Sequence, residues 1–335
     1  MVRRWLKHTL CRGLASAGLD AWLGRVTRSI QWPWVVGYHL VVEDDAAAAQ
    51  VMPGLAISAR TLELHLDWIG RRFQFVSLAE LGALAERGAA RGRPLAAVTF
   101  DDGYRGLYDH AFPMLKRKGI PAAVFVVTDL IGTSRLHFHD SLYLMFTKRL
   151  GRPPGEAYQA TRAMLQSLQP AEVDLLARSE GRQCADTLSL LPLTWEMLFE
   201  MQEAGFTIGS HTKTHPILTR VAPSEVVEEA SGSRRALERR LGARVEHFAY
   251  PDGQFDPAVV GAIAEAEYRF AYTTCAHRDA AHSALTLPRT MLWEQSALDC
   301  AGRFSSAILS CQAHGLLALA SGCRKNHGAK LVAHA

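Results

Sequence analysis

The sequence predicts an α/β fold built on a mostly parallel sheet, because short apolar runs alternate with amphipathic helical stretches along most of its 335 residues. The runs are bounded by glycine, proline or charged residues and carry apolar side chains at consecutive positions, as strands covered on both faces require. This alternation leaves both a barrel and a doubly wound sheet open. No GxGxxG or Walker-type glycine loop follows any run, so a nucleotide-binding sheet lacks its signature.

Taken in order, a basic amphipathic segment covers residues 1–31. The run "WPWVVGYHLV" then reads as a buried strand. "SARTLELHLDWIGRRF" has helical apolar spacing behind a serine start signal, and "SLAELGALAERG" is a second helix ending at glycine. "PLAAVTF" is a strand, "LYDHAFPMLKRKG" a helix despite Pro113, and "PAAVFVVT" a strand again. Between about 133 and 190 the pattern loosens. "RLHFHDSLYLMF" and "AEVDLLARSEG" read as helices of an insertion rather than as core repeats.

Regularity returns with helix "TWEMLFEMQEAG" and strand "FTIGSH". Helix "PSEVVEEASGSRRALERRLG" precedes strand "EHFAYP", helix "DPAVVGAIAEAE" precedes strand "RFAYTTC", and "LTLPRTML" is the last strand. With no internal repeat and no low-complexity linker, one α/β domain over 32–295 is expected. A helical extension would follow over 296–335.

A formal net charge of +4 is too small for this length to argue for nucleic acid, and no RNA- or DNA-binding motif is present. The six cysteines show no CxxC-type spacing, so they predict neither a zinc knuckle nor a disulfide framework. Scattered thiols fit a reducing compartment. Arg12, Asp20 and Arg25 interrupt the first segment, which argues against a secretory signal. A cytoplasmic chain is therefore expected. Trp5, Leu6, Leu10, Leu14, Leu19, Trp22 and Leu23 among basic residues suit peripheral contact with the inner membrane face, or packing on the domain itself. "FSSAILSCQAHGLLALASGC" carries no charged residue, yet Gln312, His314 and its serines favour a packed helix over a span.

Polar residues gather where strands end. "TFDDG", "GSHTKTH" and "FAYPDG" all occupy such positions, and in parallel α/β folds the C-terminal strand ends share the rim that hosts active sites. His211 and His215 stand close enough to grip one ion. Two imidazoles and one carboxylate form a three-ligand set that leaves positions for water and substrate. A second carboxylate beside that set can take a proton from the water.

These motifs closely resemble the polysaccharide deacetylase family, the group built on the NodB homology domain and akin to family 4 carbohydrate esterases. "TFDDGY" is similar to the family's first motif and "SHTKTH" to its second, while "FAYPDG" occupies the third. The flanks "HAFPMLKRKGIPAAVFVVTDLIG" and "LTWEMLFEMQEAGFTIGSHTKTHPIL" resemble the connecting segments, so the likeness covers about 34–295. It implies a distorted, incomplete (β/α) barrel of about seven mostly parallel strands with covering helices. The implied reaction is metal-assisted hydrolysis of an N-acetyl group on an amino-sugar-containing glycan or glycoconjugate. The implied metal is a divalent ion, zinc first, with cobalt or nickel as alternatives.

Carried over by motif, the resemblance makes Asp101 the catalytic base and Asp102, His211 and His215 the metal ligands. Tyr250, Pro251 and Asp252 fall at the substrate and oxyanion position, the Asp252 N–H standing in where the family has an aromatic residue. Two departures are visible. Ala249 replaces the arginine that usually opens the third motif, and Arg289 in "LPRTML" is the candidate substitute for orienting the base. No Leu-x-His motif supplies a general acid. "VVGYHLV" instead resembles the opening strand of a permuted branch that includes poly-N-acetylglucosamine deacetylases, which makes His39 the candidate acid. His137, His139 and Asp140 either touch substrate or cover the rim. A non-catalytic glycan-binding relative and a non-haem Fe(II) oxygenase are the competing readings of the same residues.

Overall fold

The structure is a computed structural model that describes residues 2–27, 33–87, 93–168 and 185–321, together with Cys323 and His327. Its strands are β1 (Trp34–Tyr38), β2 (Leu40–Val42), β3 (Ala56–Ser58), β4 (Gln74–Phe75), β5 (Leu95–Phe100), β6 (Ala122–Val126), β7 (Thr207–Ser210), β8 (His247–Ala249), β9 (Phe270–Thr273), β10 (Leu287–Pro288) and β11 (Thr290–Met291). The main sheet runs β10-β9-β8-β7-β6-β5-β1-β11, and every pairing along it is parallel.

Its two outer strands are neighbours in sequence. β10 pairs with β9, β11 pairs with β1, and only Arg289 lies between them. The Arg289 N–H donates to Thr273 O at 3.0 Å and the Leu292 N–H donates to Gly37 O at 2.8 Å. The last strand position therefore holds both edges of the sheet and nearly closes it, giving the distorted, incomplete barrel of about seven strand positions that the resemblance implies. β4 sits beside the start of β5, on the edge that β6 takes over higher up.

Strand alternation sorts the side chains. Val35, Ala97, Ala123, Phe125, Ala249, Phe270 and Tyr272 form one buried cluster inside the barrel, joined by Leu78 and Leu81 of the helix Leu78–Arg87 that plugs its lower end. Trp34, Val36, Val98, Phe100, Val124 and Phe248 face outward into the larger core beneath the covering helices. The interior is narrow, and it takes one large ring only because its neighbour has no side chain. A Cβ on Gly209 would lie 2.6 Å from the Phe125 ring.

The helices follow their sequence signals. Ser58 caps Ala59–Arg72, Thr194 caps Trp195–Glu203 and Asp256 caps Pro257–Glu265, each side chain accepting a backbone N–H. The long helix Pro223–Leu241 ends at Gly242 in the left-handed conformation. The helix expected around Pro113 is a wider turn at Leu107–Ala111 followed by a regular helix at Phe112–Lys118. Pro113 has no N–H for the ordinary bond one turn back, and the wider turn absorbs the loss.

Two expected elements are divided. The run "WPWVVGYHLV" breaks at His39, because β2 leaves the barrel to pair with β3. That break carries His39 to the rim. The expected helix over 304–323 becomes Ser306–Ala313 and Leu316–Ser321, separated at Gly315, whose φ is 72°. These two pack against the N-terminal helix Val2–Ser16, burying Cys11, Ile308 and Cys311 beside Leu14, Leu316 and Leu317. Leu6, Leu10, Leu19, Trp22 and Val26 stay exposed on the N-terminal helices. Among the described residues no helix is long and apolar enough to cross a membrane. The expected helix at 171–181 lies outside the described residues.

Candidate active site

The site sits at the C-terminal ends of β5 and β7, where the first two motifs leave the barrel. β5 passes directly into Asp101, whose N–H donates to Tyr38 O at 2.8 Å. The chain then reverses through Asp102 and Gly103, both left-handed with φ of 70° and 68°. This reversal turns two adjacent carboxylates to different partners. Both are buried, at 3% exposure each.

Asp101 faces the barrel interior. Arg289 reaches it from the closing seam and donates Nη1 to Oδ1 at 2.6 Å and Nη2 to Oδ2 at 2.7 Å, a bidentate pair. The same Nη1 donates to Thr99 Oγ1 at 3.1 Å, and the guanidinium carbon lies 5.2 Å from the Phe125 ring centre. Ala249, small and inside the barrel, belongs to the cluster that contains Phe125 and Tyr272. The guanidinium that its position lacks thus arrives from a different strand. Burial alone would push the Asp101 carboxyl up. The paired Arg289 guanidinium outweighs it, so Asp101 is held below the ordinary carboxylate range.

Asp102 faces the two histidines. Its Oδ1 lies 3.4 Å from His211 Nε2 and 3.3 Å from His215 Nε2. That oxygen is buried without a hydrogen-bond partner. The His211 Nδ1–H donates to Ala249 O at 2.7 Å, which leaves Nε2 as an unprotonated acceptor aimed at the carboxylate. Three electron-pair donors thus converge with no proton between two of them. The separations match the edge, about 3.3 Å, expected when one ion sits about 2.0–2.1 Å from each ligand. The residues therefore fit a divalent metal, with the Asp102, His211 and His215 ligand atoms all within 4.8 Å of one another. Burial lowers His211 to about 4, although the aspartates oppose it. For His215 burial acts to lower the imidazole, but the Asp102 carboxylate 3.3 Å away outweighs it and holds the imidazole above its ordinary value.

The histidine pair lies on a tight loop rather than a helix. Thr212 and His215 are both left-handed, at 71° and 66°. Together with Asp102 and Asp252 (φ 52°) they account for four of the five described non-glycine residues with positive φ, so backbone strain concentrates at this rim. Glu229 holds the loop from the helix Pro223–Leu241. Its Oε2 accepts the Lys213 and Thr214 N–H groups at 2.7 and 2.9 Å, and its Oε1 accepts the Thr214 hydroxyl at 2.7 Å. The His215 N–H donates to Thr212 Oγ1 at 2.9 Å. Nothing in the sequence pattern singled out Glu229, a surface-type residue on a long helix.

The insertion forms one wall. His137 is buried and its Nε2 lies 3.0 Å from Asp102 O, while its ring stands 5.8 Å from the His215 ring. The Tyr104 hydroxyl donates to Asp140 Oδ2 at 2.7 Å and lies 2.8 Å from His139 Nε2. Burial lowers His137 to about 4. It raises Asp140 to about 8, with the Tyr104 hydrogen bond opposing and the Asp102 charge adding. The His137 and His139 rings stand beside the His215 ring, and Tyr104, unremarked in the sequence, ties His139 and Asp140 to the first motif.

The expected substrate and oxyanion residues divide. The Tyr250 ring is in the outer core, its hydroxyl donating to Leu285 O at 2.8 Å and its N–H donating to Tyr272 O at 3.1 Å. Proline has no N–H. Of the three, Tyr250 and Pro251 therefore have no N–H to offer an oxyanion, which narrows that expectation to Asp252. His39, half-buried after β1, acts electrostatically on both Asp101 and Asp102.

Residues 88–271 match the family model for polysaccharide deacetylase. Among curated sequences, the chain is 22% identical over 221 residues to the Bacillus subtilis protein named "Putative polysaccharide deacetylase YxkH", covering 66% of this chain and 59% of that one. It is 27% identical over 124 residues to the poly-β-1,6-N-acetyl-D-glucosamine N-deacetylase of Staphylococcus epidermidis, covering 34% and 42% respectively. The chain thus spans about half the length of these relatives. Among solved structures, IcaB from Ammonifex degensii superposes with a TM-score of 0.56 at 21% identity, covering 85% of this chain and 97% of that one. Streptococcus pyogenes deacetylase PplD, solved with acetate, gives 0.55 at 19% identity and covers 80% and 95%. At these identities the structural likeness speaks for the fold.

Proposed function

The chain belongs to the polysaccharide deacetylase family, and from that membership we propose that it is a metal-dependent carbohydrate N-deacetylase acting on an N-acetylated amino-sugar glycan or glycoconjugate. One observation carries the reading: a buried carboxylate held ionised by Arg289 stands beside an unpartnered Asp102 oxygen that faces two imidazoles. A lone metal site needs no such neighbour, and an amidase that activates water does.

Asp102, His211 and His215 hold the metal, and zinc is the ion that suits one carboxylate and two imidazoles with open positions. When bound, the ion acidifies water and polarises the acetyl carbonyl. Asp101, kept as a carboxylate by the guanidinium, takes the proton as the water oxygen bonds to the carbonyl carbon. Each carboxylate oxygen has two lone pairs, so the Arg289 bonds leave acceptor capacity on Asp101 for that proton. The carbon–nitrogen bond then breaks, acetate forms, and the nitrogen takes a proton to leave as the amine. His39 is the acid we assign to that last transfer.

The assignment of His39 predicts a dependence on the leaving group. His39→Ala should slow amide cleavage by about 10²–10⁴-fold. An aryl acetate, whose phenolate leaves without help, should lose far less. Equal losses on both substrates would remove His39 from this role.

The function itself is checked by acetate release from a panel of N-acetylhexosamine oligomers, β-1,6- and β-1,4-linked. Zinc, cobalt or nickel is added to the stripped protein, with a chelator control. Acetate is expected from at least one N-acetylglucosamine oligomer, only with metal present. A metal-loaded protein that binds the oligomers and releases no acetate would instead favour a glycan-binding relative.

A further inference from the structure

A second cluster of metal-type ligands lies away from the Asp102 centre. Cys275 and His277 follow β9, while Cys323 and His327 belong to the C-terminal segment, and the structure brings all four together. One ligand atom from each lies within 4.8 Å of every other. We propose that these four residues form a structural zinc site that fastens the C-terminal segment to the barrel.

The geometry is that of a closed tetrahedral set. His327 Nε2 lies 3.2 Å from Cys275 Sγ and 3.4 Å from Cys323 Sγ. Zn–S and Zn–N bonds of about 2.3 and 2.0 Å at tetrahedral angles place sulfur and nitrogen about 3.5 Å apart. The His327 ring is already oriented for this. Its Nδ1 lies 3.1 Å from Phe255 O, a carbonyl that can only accept, so the proton is on Nδ1 and the Nε2 lone pair points between the two sulfurs. His327 is buried, and its ring centre lies 4.5 Å from that of Phe255 and 4.6 Å from that of His277, tilted against both. His277 Nδ1 is itself buried without a hydrogen-bond partner. A cysteine pair meant only for a disulfide would not recruit two imidazoles.

Two thiolates balance the charge of a divalent ion, and four protein ligands leave no open position for water. The site therefore stabilises rather than catalyses. Its position gives it a task. Cys275 Sγ lies 3.6 Å from the Thr273 hydroxyl, which donates to Gly253 O at 2.8 Å. Together with the His327–Phe255 contact, the ion would brace the loop that carries Asp252. The ligands come as Cys-x-His and Cys-x-x-x-His from two distant stretches, so the cysteine spacing that excluded a zinc knuckle in the sequence did not exclude this site. Metal binding and folding of the segment would be one event.

Cobalt distinguishes the two centres, because only this one contains sulfur. Cobalt-loaded full-length protein should show a sulfur-to-cobalt charge-transfer absorption and bind about two metal equivalents per chain. The absorption should persist in the Asp102→Asn/His211→Ala variant and vanish in Cys275→Ser/Cys323→Ser, each variant losing about one equivalent. Absence of the absorption in the unsubstituted, cobalt-saturated protein would overturn the proposal without any variant needing to fold. So would an unchanged metal count in the serine variant, or a Cys275–Cys323 disulfide in peptides from the metal-loaded protein.

Discussion

Replacing Asp101 with asparagine should lower acetate release by about 10²–10⁴-fold, the range for losing a general base, while the metal content stays unchanged. Asparagine fills nearly the same volume, so the rim should keep its shape. It can neither take a proton from water nor carry the charge that meets Arg289. Asp102, His211 and His215 are untouched by the change, which is why metal and turnover should separate. Replacing His211 with alanine should instead remove both together. Full turnover in the Asp101 variant would sink the assignment of the base, and lost metal would move Asp101 into the ligand set.

Arg289→Ala should have the largest effect on stability, because it strips a buried carboxylate of its partner. Breaking a buried pair in this way typically costs about 3–5 kcal/mol. The sign of the pH dependence follows from the lowered carboxyl. In the intact protein the pair contributes stability at every pH above the unfolded carboxylate value, about 3.9. That contribution is lost as pH falls through the still lower folded value. In the variant, burial acts without the guanidinium, so the Asp101 carboxyl rises and the acid limb of the pH–rate profile should move to higher pH. Arg289→Lys should restore charge without the bidentate fork and recover part of the shift. A variant that is merely less stable, with its acid limb unmoved, would make Arg289 a seam residue and not a positioning one.

The sequence revealed the site unevenly, for physical reasons. "TFDDG" and "SHTKTH" were readable because each packs its chemistry into a few residues at the end of a recognisable strand. Arg289 was readable as a candidate for the same reason, even though it meets Asp101 across 188 positions of sequence. That it also closes the barrel was not, since β10 and β11 are two residues each and look like one strand. Glu229 and Tyr104 were missed because nothing local distinguishes a clamp from a solvated glutamate or a core tyrosine. Tyr250 shows the limit of reading by strand ends. Its motif sits at a strand end, but alternation turns the ring outward to Leu285. The Cys275 and Cys323 cluster was invisible because its two halves lie far apart in the sequence and neither is a ligand set by itself.

The most direct measurement is acetate release from an N-acetylglucosamine oligomer as metal-stripped protein is titrated with zinc, the unsubstituted chain beside His211→Ala. Release should rise with metal in the first and remain at background at every concentration in the second. Equal release from both, or release that does not depend on metal, would contradict hydrolysis at the Asp102–His211–His215 centre.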